Sequence, residues 1–141
     1  MLGMNPLALL AATAAAWLFG AVYYGLLAKP WVRSLGMTMV EFKQKQAANK
    51  GTPRFYLPFI LSFVAELIMA VVLSGILVHL GMFTARAGII SGLFCWLGFV
   101  LTTIAVNNAF TGRSLMLTVI DAGHWLGVLV IIGAVIGALG P

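Results

Sequence analysis

Charged side chains are scarce in this chain of 141 residues, of which 8% are charged and 62% are hydrophobic. A soluble domain usually carries about 25% charged residues, so the composition excludes an ordinary soluble protein and indicates a membrane protein. Four windows hold no charge or only Glu66 or Asp121, and these are residues 1–28, 55–85, 87–112 and 114–141. Each is longer than the roughly 20 residues that a membrane-spanning helix needs.

Cysteine and histidine are also nearly absent, with one Cys and two His. Cys95 cannot form a disulfide within the chain and is expected to pack as a small hydrophobic residue. His79 and His124 fall at different depths, which disfavours a haem held between them. A metal bound by Glu66, Asp121 and His124 is a less favoured alternative, because the Asp-x-x-His pattern occurs here once. No nucleophile–base pair, phosphate loop or zinc spacing is present, so the sequence predicts no enzyme, cofactor or metal.

The distribution of apolar residues predicts one all-α transmembrane domain over residues 1–141, with four spanning helices in two antiparallel hairpins. The helices are expected at about residues 5–27, 56–80, 86–108 and 114–139. The apolar start of the chain is not expected to be a cleaved signal peptide, because no Lys or Arg precedes it and the apolar run continues to Leu27.

The eight Lys and Arg residues are unevenly distributed. Six lie in the segment 28–55, Arg113 lies in a connection on the same side, and Arg86 lies on the opposite side. Short loops rich in Lys and Arg are retained in the cytoplasm. The sequence therefore predicts a bacterial cytoplasmic membrane protein with a cytoplasmic basic segment and both termini outside. The basic charges are expected to meet anionic lipid head groups rather than nucleic acid.

The basic segment also carries a helix-start signal. Thr38 is followed three residues later by Glu41, which is the capping-box spacing, and Gly51 is a plausible stop. We expect a short interfacial helix between the first two spans, lying on the membrane surface.

Small residues recur four apart within the first and fourth spans, and in a membrane such residues let helix backbones approach closely. The residues are Ala8, Ala12, Ala16 and Gly20, then the pairs Gly123 and Gly127, and Gly133 and Gly137. They predict helix-packing surfaces. A homo-oligomer held by these surfaces is expected, although the same residues could instead pack within one bundle.

Polar residues inside the spans are the candidates for function, because ionisable groups in hydrocarbon are costly and usually face the bundle interior. The candidates are Glu66, Asp121, His124, Asn107, Thr103 and Thr102. One interpretation is a proton or ion pathway, or a small polar pocket. The other is that these groups only hold helices together, with Asp121 bonded to His124 or Asn107.

Several segments together resemble the bacterial membrane protein family catalogued as domain of unknown function 1761. The resemblance rests on "FGAVYYGLLAKPW" and "WLGFVLTTIAVNNAFTGRSLMLTVIDAGHWL", with matching positions at Asn5, Gly20, Tyr23, Tyr24, Lys29, Pro30, Trp31, Gly98, Phe99, Thr102, Thr103, Asn107, Gly112, Arg113 and His124. Asp121 departs from the family pattern, which has Asn there. The resemblance implies a four-helix membrane fold and no activity.

The family pattern places polar and aromatic residues toward the cytoplasmic side. Tyr24, Trp31 and Arg113 would form the rim of a pocket there, although anchoring at the membrane interface is the alternative for the aromatic residues. The function expected is that of a small transporter or channel-like component with a protonatable site opening to the cytoplasm. The alternative is a structural or accessory subunit whose buried polar residues only fix helix packing.

Overall fold

The structure, a computed structural model, describes residues 3–141, so the first two residues of the predicted domain lie outside it. Its helices are α1 (Pro6–Leu26), α2 (Ala28–Ser34), α3 (Met39–Asn49), α4 (Pro53–Leu80), α5 (Ala85–Cys95), a π-helical segment (Trp96–Leu101), α6 (Thr102–Phe110) and α7 (Leu115–Leu139). The helices long and apolar enough to cross a membrane within this range are α1, α4, α7 and the α5–α6 rod of Ala85–Phe110. The all-α class and the four long apolar helices are confirmed.

Polar side chains at the helix starts accept the backbone N–H groups that have no partner within a helix. The Asn5 side chain accepts from Leu7 and Ala8 at the start of α1. Thr38 and Glu41 form the predicted capping box, in which the Glu41 carboxylate accepts from the Thr38 N–H at 2.8 Å. Hydrogen bonds from the N–H and hydroxyl of Thr38 lower the pKa of the Glu41 carboxyl. The predicted short helix is confirmed as α3.

Residues 28–34, which the sequence predicted as loop, are helical instead. Pro30 falls in the first turn of α2, where a missing N–H costs no hydrogen bond within the helix. The Trp31 N–H bonds to the Leu27 carbonyl at 2.9 Å, so the helical backbone of α1 leads almost directly into α2. At the other end the Ser114 hydroxyl donates to the Ser34 carbonyl at 3.0 Å. The Ser114 contact comes from a distant part of the chain, so the local sequence pattern does not contain it.

The predicted start of the second span is also corrected. The helix begins at Pro53 rather than at residue 56. Proline suits the first helical position because its missing N–H would have no partner there and its backbone angle is already helical. The basic segment therefore contains two helices and a short connection, rather than one helix within a long loop.

α7 lies at the centre of the bundle and contacts α1, α4 and α5. Its side chains Val128, Ile132 and Ile136 are almost completely buried. They share one core with small and branched residues of the neighbouring helices: Ala12, Ala16, Ala70, Leu73, Leu77 and Ala87. In contrast, much of α4 and of the α5–α6 rod exposes large apolar side chains, as expected of helix faces that meet lipid.

The backbones of α5 and α7 touch at two glycines. A Cβ atom on Gly88 would overlap the carbonyl of Gly133, and a Cβ atom on Gly133 would overlap the carbonyl of Gly88. Farther along the same contact, a Cβ atom on Gly92 would lie 2.5 Å from the Leu129 carbonyl oxygen. Glycine is required at this crossing because no side chain fits between the two backbones.

The alanine stripe of α1 is likewise used inside the chain. Ala8, Ala12 and Ala16 are at most 1% exposed, and Gly20 is buried. The predicted packing surfaces therefore serve contacts within one chain. A homo-oligomer stays a prediction, and it would have to use other surfaces.

Replacing Gly133 with Ala should destabilise the fold. The added methyl group meets the Gly88 backbone, which cannot move aside like a flexible side chain, so we expect a loss of about 1–3 kcal/mol. Thermal unfolding of the purified protein in detergent measures it. The matched control is Gly25→Ala in α1, where a Cβ atom would meet nothing within 4 Å. Equal losses in the two variants would contradict the close crossing.

Candidate functional site: an aromatic collar and two buried ionisable groups

Asp121 is held by two aromatic side chains from elsewhere in the chain. Its Oδ1 accepts hydrogen bonds from the Tyr24 hydroxyl at 2.8 Å and from the Trp31 indole N–H at 3.2 Å. Tyr24 lies near the end of α1 and Trp31 lies in α2, so the carboxylate joins both to α7. The structure thus brings together three of the predicted site residues.

Two more aromatic donors bind the backbone of α7 beside Asp121. The Tyr23 hydroxyl donates to the Ile120 carbonyl at 2.9 Å, and the Trp96 indole donates to the Ala122 carbonyl at 2.8 Å. A carbonyl has two lone pairs, so it can accept these bonds in addition to its bond within the helix. We call Tyr23, Tyr24, Trp31 and Trp96 the aromatic collar. The collar binds three consecutive residues of α7, and its donors come from α1, α2 and the π-helical segment.

The collar was only partly predicted. The sequence indicated Tyr23 as a position that matches the family pattern and gave no role to Trp96. Trp96 begins the π-helical segment, a widened turn that occurs often at functional sites in helices. The available signal was a Trp in the middle of an apolar span, since a buried indole N–H needs an acceptor.

His124 lies next to the collar, one turn deeper along α7, and its side chain is 4% exposed. Its ring centroid is 4.8 Å from that of Tyr24 and 5.7 Å from that of Tyr23. Phe19 stacks on the imidazole at 6.2 Å. The ring also occupies the space left by Gly20, where a Cβ atom would lie 2.7 Å from Nε2. Its Nδ1 atom is buried and has no hydrogen-bond partner among residues 3–141.

Glu66 is the second buried ionisable group. Its side chain is 1% exposed, and its Oε2 atom has no hydrogen-bond partner in the part of the chain that the structure describes. It shares the buried face of α4 with Ala70 and Ser74, which follow it at steps of four residues. One turn earlier, the Ser62 hydroxyl accepts from the Trp17 indole of α1 at 3.0 Å. An unpartnered polar atom in such a place costs about 1–3 kcal/mol, and more when it is charged.

The packing of α1 on α4 shows how far apart the two groups lie. Trp17 reaches Ser62, and at the far end Met4 lies beside Gly75, where a Cβ atom would be 3.5 Å from the Met4 Cε. The same pairing of positions along α1 and α4 places Glu66 opposite the buried Thr13 of α1. His124 lies beside Gly20 of α1. Gly20 is two helical turns from Thr13, which is about 10 Å of helix rise. The two groups therefore occupy different levels beside one helix, rather than one shared layer.

The remaining predicted site residues lie elsewhere. Thr102, Thr103 and Asn107 are exposed on α6, and the Thr102 hydroxyl donates to the Gly98 carbonyl of its own helix. Asn108 is the residue that reaches α7, where its amide donates to the Thr118 hydroxyl at 3.0 Å. Arg113 is exposed in the turn before α7 and lines a surface groove of about 410 Å³ with residues of the α2–α3 connection.

Glu66, Asp121 and His124 do not form a metal centre. Across residues 3–141, no three His, Cys, Asp or Glu side chains lie close enough together to hold a metal ion. Asp121 is instead bound by Tyr24 and Trp31, and Glu66 lies at another level. The arrangement is suited to holding a carboxylate in place and to leaving two protonatable atoms free inside the bundle.

Comparison with known proteins agrees with the resemblance seen in the sequence. The family model described as protein of unknown function, DUF1761, matches residues 7–137. The chain belongs to this family. No curated protein and no solved structure matches the chain. The matched range contains the whole collar together with Glu66 and His124, but the family description names no activity, so function has to be argued from the site.

The contribution of the hydrogen bonds that Asp121 accepts can be measured by mutation. Replacing Asp121 with Ala removes the acceptor that Tyr24 and Trp31 share, so we expect a loss of about 1–3 kcal/mol of stability. Tyr24→Phe should also destabilise the wild type. In the Asp121→Ala background it should cost little more, because the partner is already gone.

Unfolding of the four proteins in detergent completes this cycle. Tyr56→Phe is the matched control, since Tyr56 is 50% exposed on α4. Fully additive losses would show that the Tyr24–Asp121 bond contributes nothing.

Proposed function

We propose that the chain is an integral membrane protein whose four long helices cross the bilayer as two antiparallel hairpins. The shortest of these helices has 21 residues, about 30 Å of rise, which equals the thickness of the hydrocarbon core. Their exposed large apolar side chains support contact with lipid. The resemblance to a bacterial membrane family supports a bacterial cytoplasmic membrane as that bilayer.

The distribution of basic residues supports one orientation. Six of the eight Lys and Arg residues lie between residues 28 and 55, and Arg113 would share their side. The positive-inside rule then puts α2 and α3 in the cytoplasm and both chain ends outside. Anionic lipid head groups would meet the basic segment.

Cysteine labelling tests this orientation. Cys95 is first replaced by Ala, and a single cysteine is then introduced at the exposed position Lys45 or Arg86. A membrane-impermeant maleimide should label the Arg86→Cys protein in intact cells and the Lys45→Cys protein only after permeabilisation. The opposite pattern would reverse the proposed orientation.

We further propose that the bundle interior handles protons, as part of a small transporter or channel-like component. The observation that carries this is the pair of unpartnered atoms, Glu66 Oε2 and His124 Nδ1, in side chains that are 1% and 4% exposed. Ionisable groups kept inside a membrane bundle commonly mark proton or substrate paths. Both are groups that can gain or lose a proton, and neither atom is used to join helices.

The polar face of α7 supplies the approach to this interior. Ser114, Thr118, Asp121 and His124 follow one another along the helix at steps of four, three and three residues. Ser114 is exposed, Thr118 is 9% exposed, Asp121 is half-buried and His124 is buried, so the face runs from the surface into the bundle and is already covered at Thr118. A proton taken up at this end would meet Asp121 before it reached His124.

Glu66→Gln tests the proposal because it removes the titratable group and keeps the shape of the side chain. The reconstituted protein should show an infrared band of the Glu66 carboxyl group that changes with pH and is lost in this variant. Proton uptake into liposomes, read by a trapped pH-sensitive dye, should fall at least about tenfold. The matched control, Glu41→Gln, changes an exposed acid of the basic segment and should leave both signals unchanged.

A structural or accessory subunit is the second candidate, favoured by the two hydrogen bonds on Asp121. In that case the polar groups set how the helices pack, and membrane hydrogen bonds of this kind contribute about 0.6 kcal/mol on average. The wild-type protein would then show no more proton uptake than protein-free liposomes, and Glu66→Gln would not change that uptake. The stability cycle on Asp121 would still show coupling.

A homo-oligomer is kept as a proposal on the exposed apolar faces of α4 and of the α5–α6 rod. The small-residue stripes are already used inside the chain. Cross-linking in native membranes that yields only monomer would count against assembly.

A further inference from the structure

A groove between α2 and α3 combines positive charge with an apolar floor. It has a volume of about 320 Å³ and is lined by Lys29, Val32, Arg33, Met37, Thr38 and Met39. Lys29 and Arg33 are exposed and lie one turn apart on α2. Val32 is completely buried beneath them, and the two methionines complete the floor. A ligand that fits this lining has a negative group and an apolar part.

No acidic side chain lines the groove to neutralise the two cations. Glu41 is the one acidic residue in the segment 28–55. Its Oε2 atom accepts from the Thr38 N–H at 2.8 Å and from the Thr38 hydroxyl at 2.9 Å, so it is engaged as the cap of α3. Lys29 and Arg33 are therefore left to attract an external anion.

The end of α1, which directly precedes the cations in the chain, exposes large apolar side chains. α1 ends at Leu26 and α2 begins at Ala28, with the non-helical residue Leu27 between them. Val22 is 60% exposed and Leu26 is 80% exposed. Exposed apolar side chains thus give way to exposed cations where α1 ends. A phospholipid has the same order, with acyl chains below a charged head group.

We propose that this groove binds one anionic phospholipid, with its phosphate between Lys29 and Arg33 and its acyl chains against Val22 and Leu26. The apolar face favours a lipid over a soluble phosphate, which would gain nothing from the two exposed apolar residues. Trp31 lies on the same short helix and binds Asp121, so a bound lipid would also steady one side of the aromatic collar. The inference rests on the proposed insertion into a bilayer and is independent of proton handling in the interior.

Native mass spectrometry of the full-length protein in a neutral detergent tests the proposal. The probe is phosphatidylglycerol, and phosphatidylcholine with the same acyl chains is the comparator. We expect one phosphatidylglycerol to bind each chain in preference to phosphatidylcholine. Lys29→Gln with Arg33→Gln should weaken that binding by about tenfold or more. The matched control is Lys43→Gln with Lys50→Gln, which removes the same charge from exposed positions outside the groove.

Three results would overturn the proposal. Equal loss of binding in both double variants would assign the lipid to diffuse surface charge. Full binding by the Lys29 and Arg33 variant would exclude the groove. Displacement of the lipid by inorganic phosphate would assign the site to a soluble anion. Unchanged helix content and unfolding temperature in both double variants show that a loss of binding is not a loss of fold.

Discussion

The close approach of α7 to its neighbours determines how the rest of the molecule is arranged. At Gly88 and Gly133 the backbones of α5 and α7 leave no room for a side chain, so the two helices have one register. That register places Trp96 opposite the Ala122 carbonyl. On the other side, the buried alanines of α1 let it approach α7 closely enough for Tyr24 to reach Asp121. Small residues thus decide which polar groups can meet.

The polar groups of the interior fall into two kinds. The collar donors and Asp121 satisfy one another, and in an apolar medium such bonds mainly determine helix orientation. Glu66 and His124 each leave a buried atom without a partner. A chain that only needed helix packing could place apolar side chains at these two positions at lower cost. This difference is the physical reason for proposing that the interior does more than hold the bundle together.

α2 connects the basic segment to that interior. Trp31 packs edge-on against Phe42 of α3, with ring centroids 5.7 Å apart, and its indole N–H binds Asp121. The same helix presents Lys29 and Arg33 on its outer side. A charged ligand on one side of α2 and the carboxylate of α7 on the other would therefore act on one short rigid element. Occupation of either site would therefore couple the basic segment to the polar face of α7 through α2.

Composition alone determined the number of long helices, because charge is excluded from apolar windows wherever the chain can cross a bilayer. The capping box at Thr38 was equally readable, since its two hydrogen bonds are local.

Asp121, Tyr24 and Trp31 were recognised as candidates, but their hydrogen bonds were not. One residue of shift turns a helix by about 100°, so pattern alone could not choose Asn108 over Asn107 as the residue that reaches α7. The helical form of residues 28–34, the partners of Asp121, and the isolation of Glu66 and His124 all depend on how helices rotate against each other. Only tertiary packing decides that rotation, because it is determined by contacts between residues far apart in the chain.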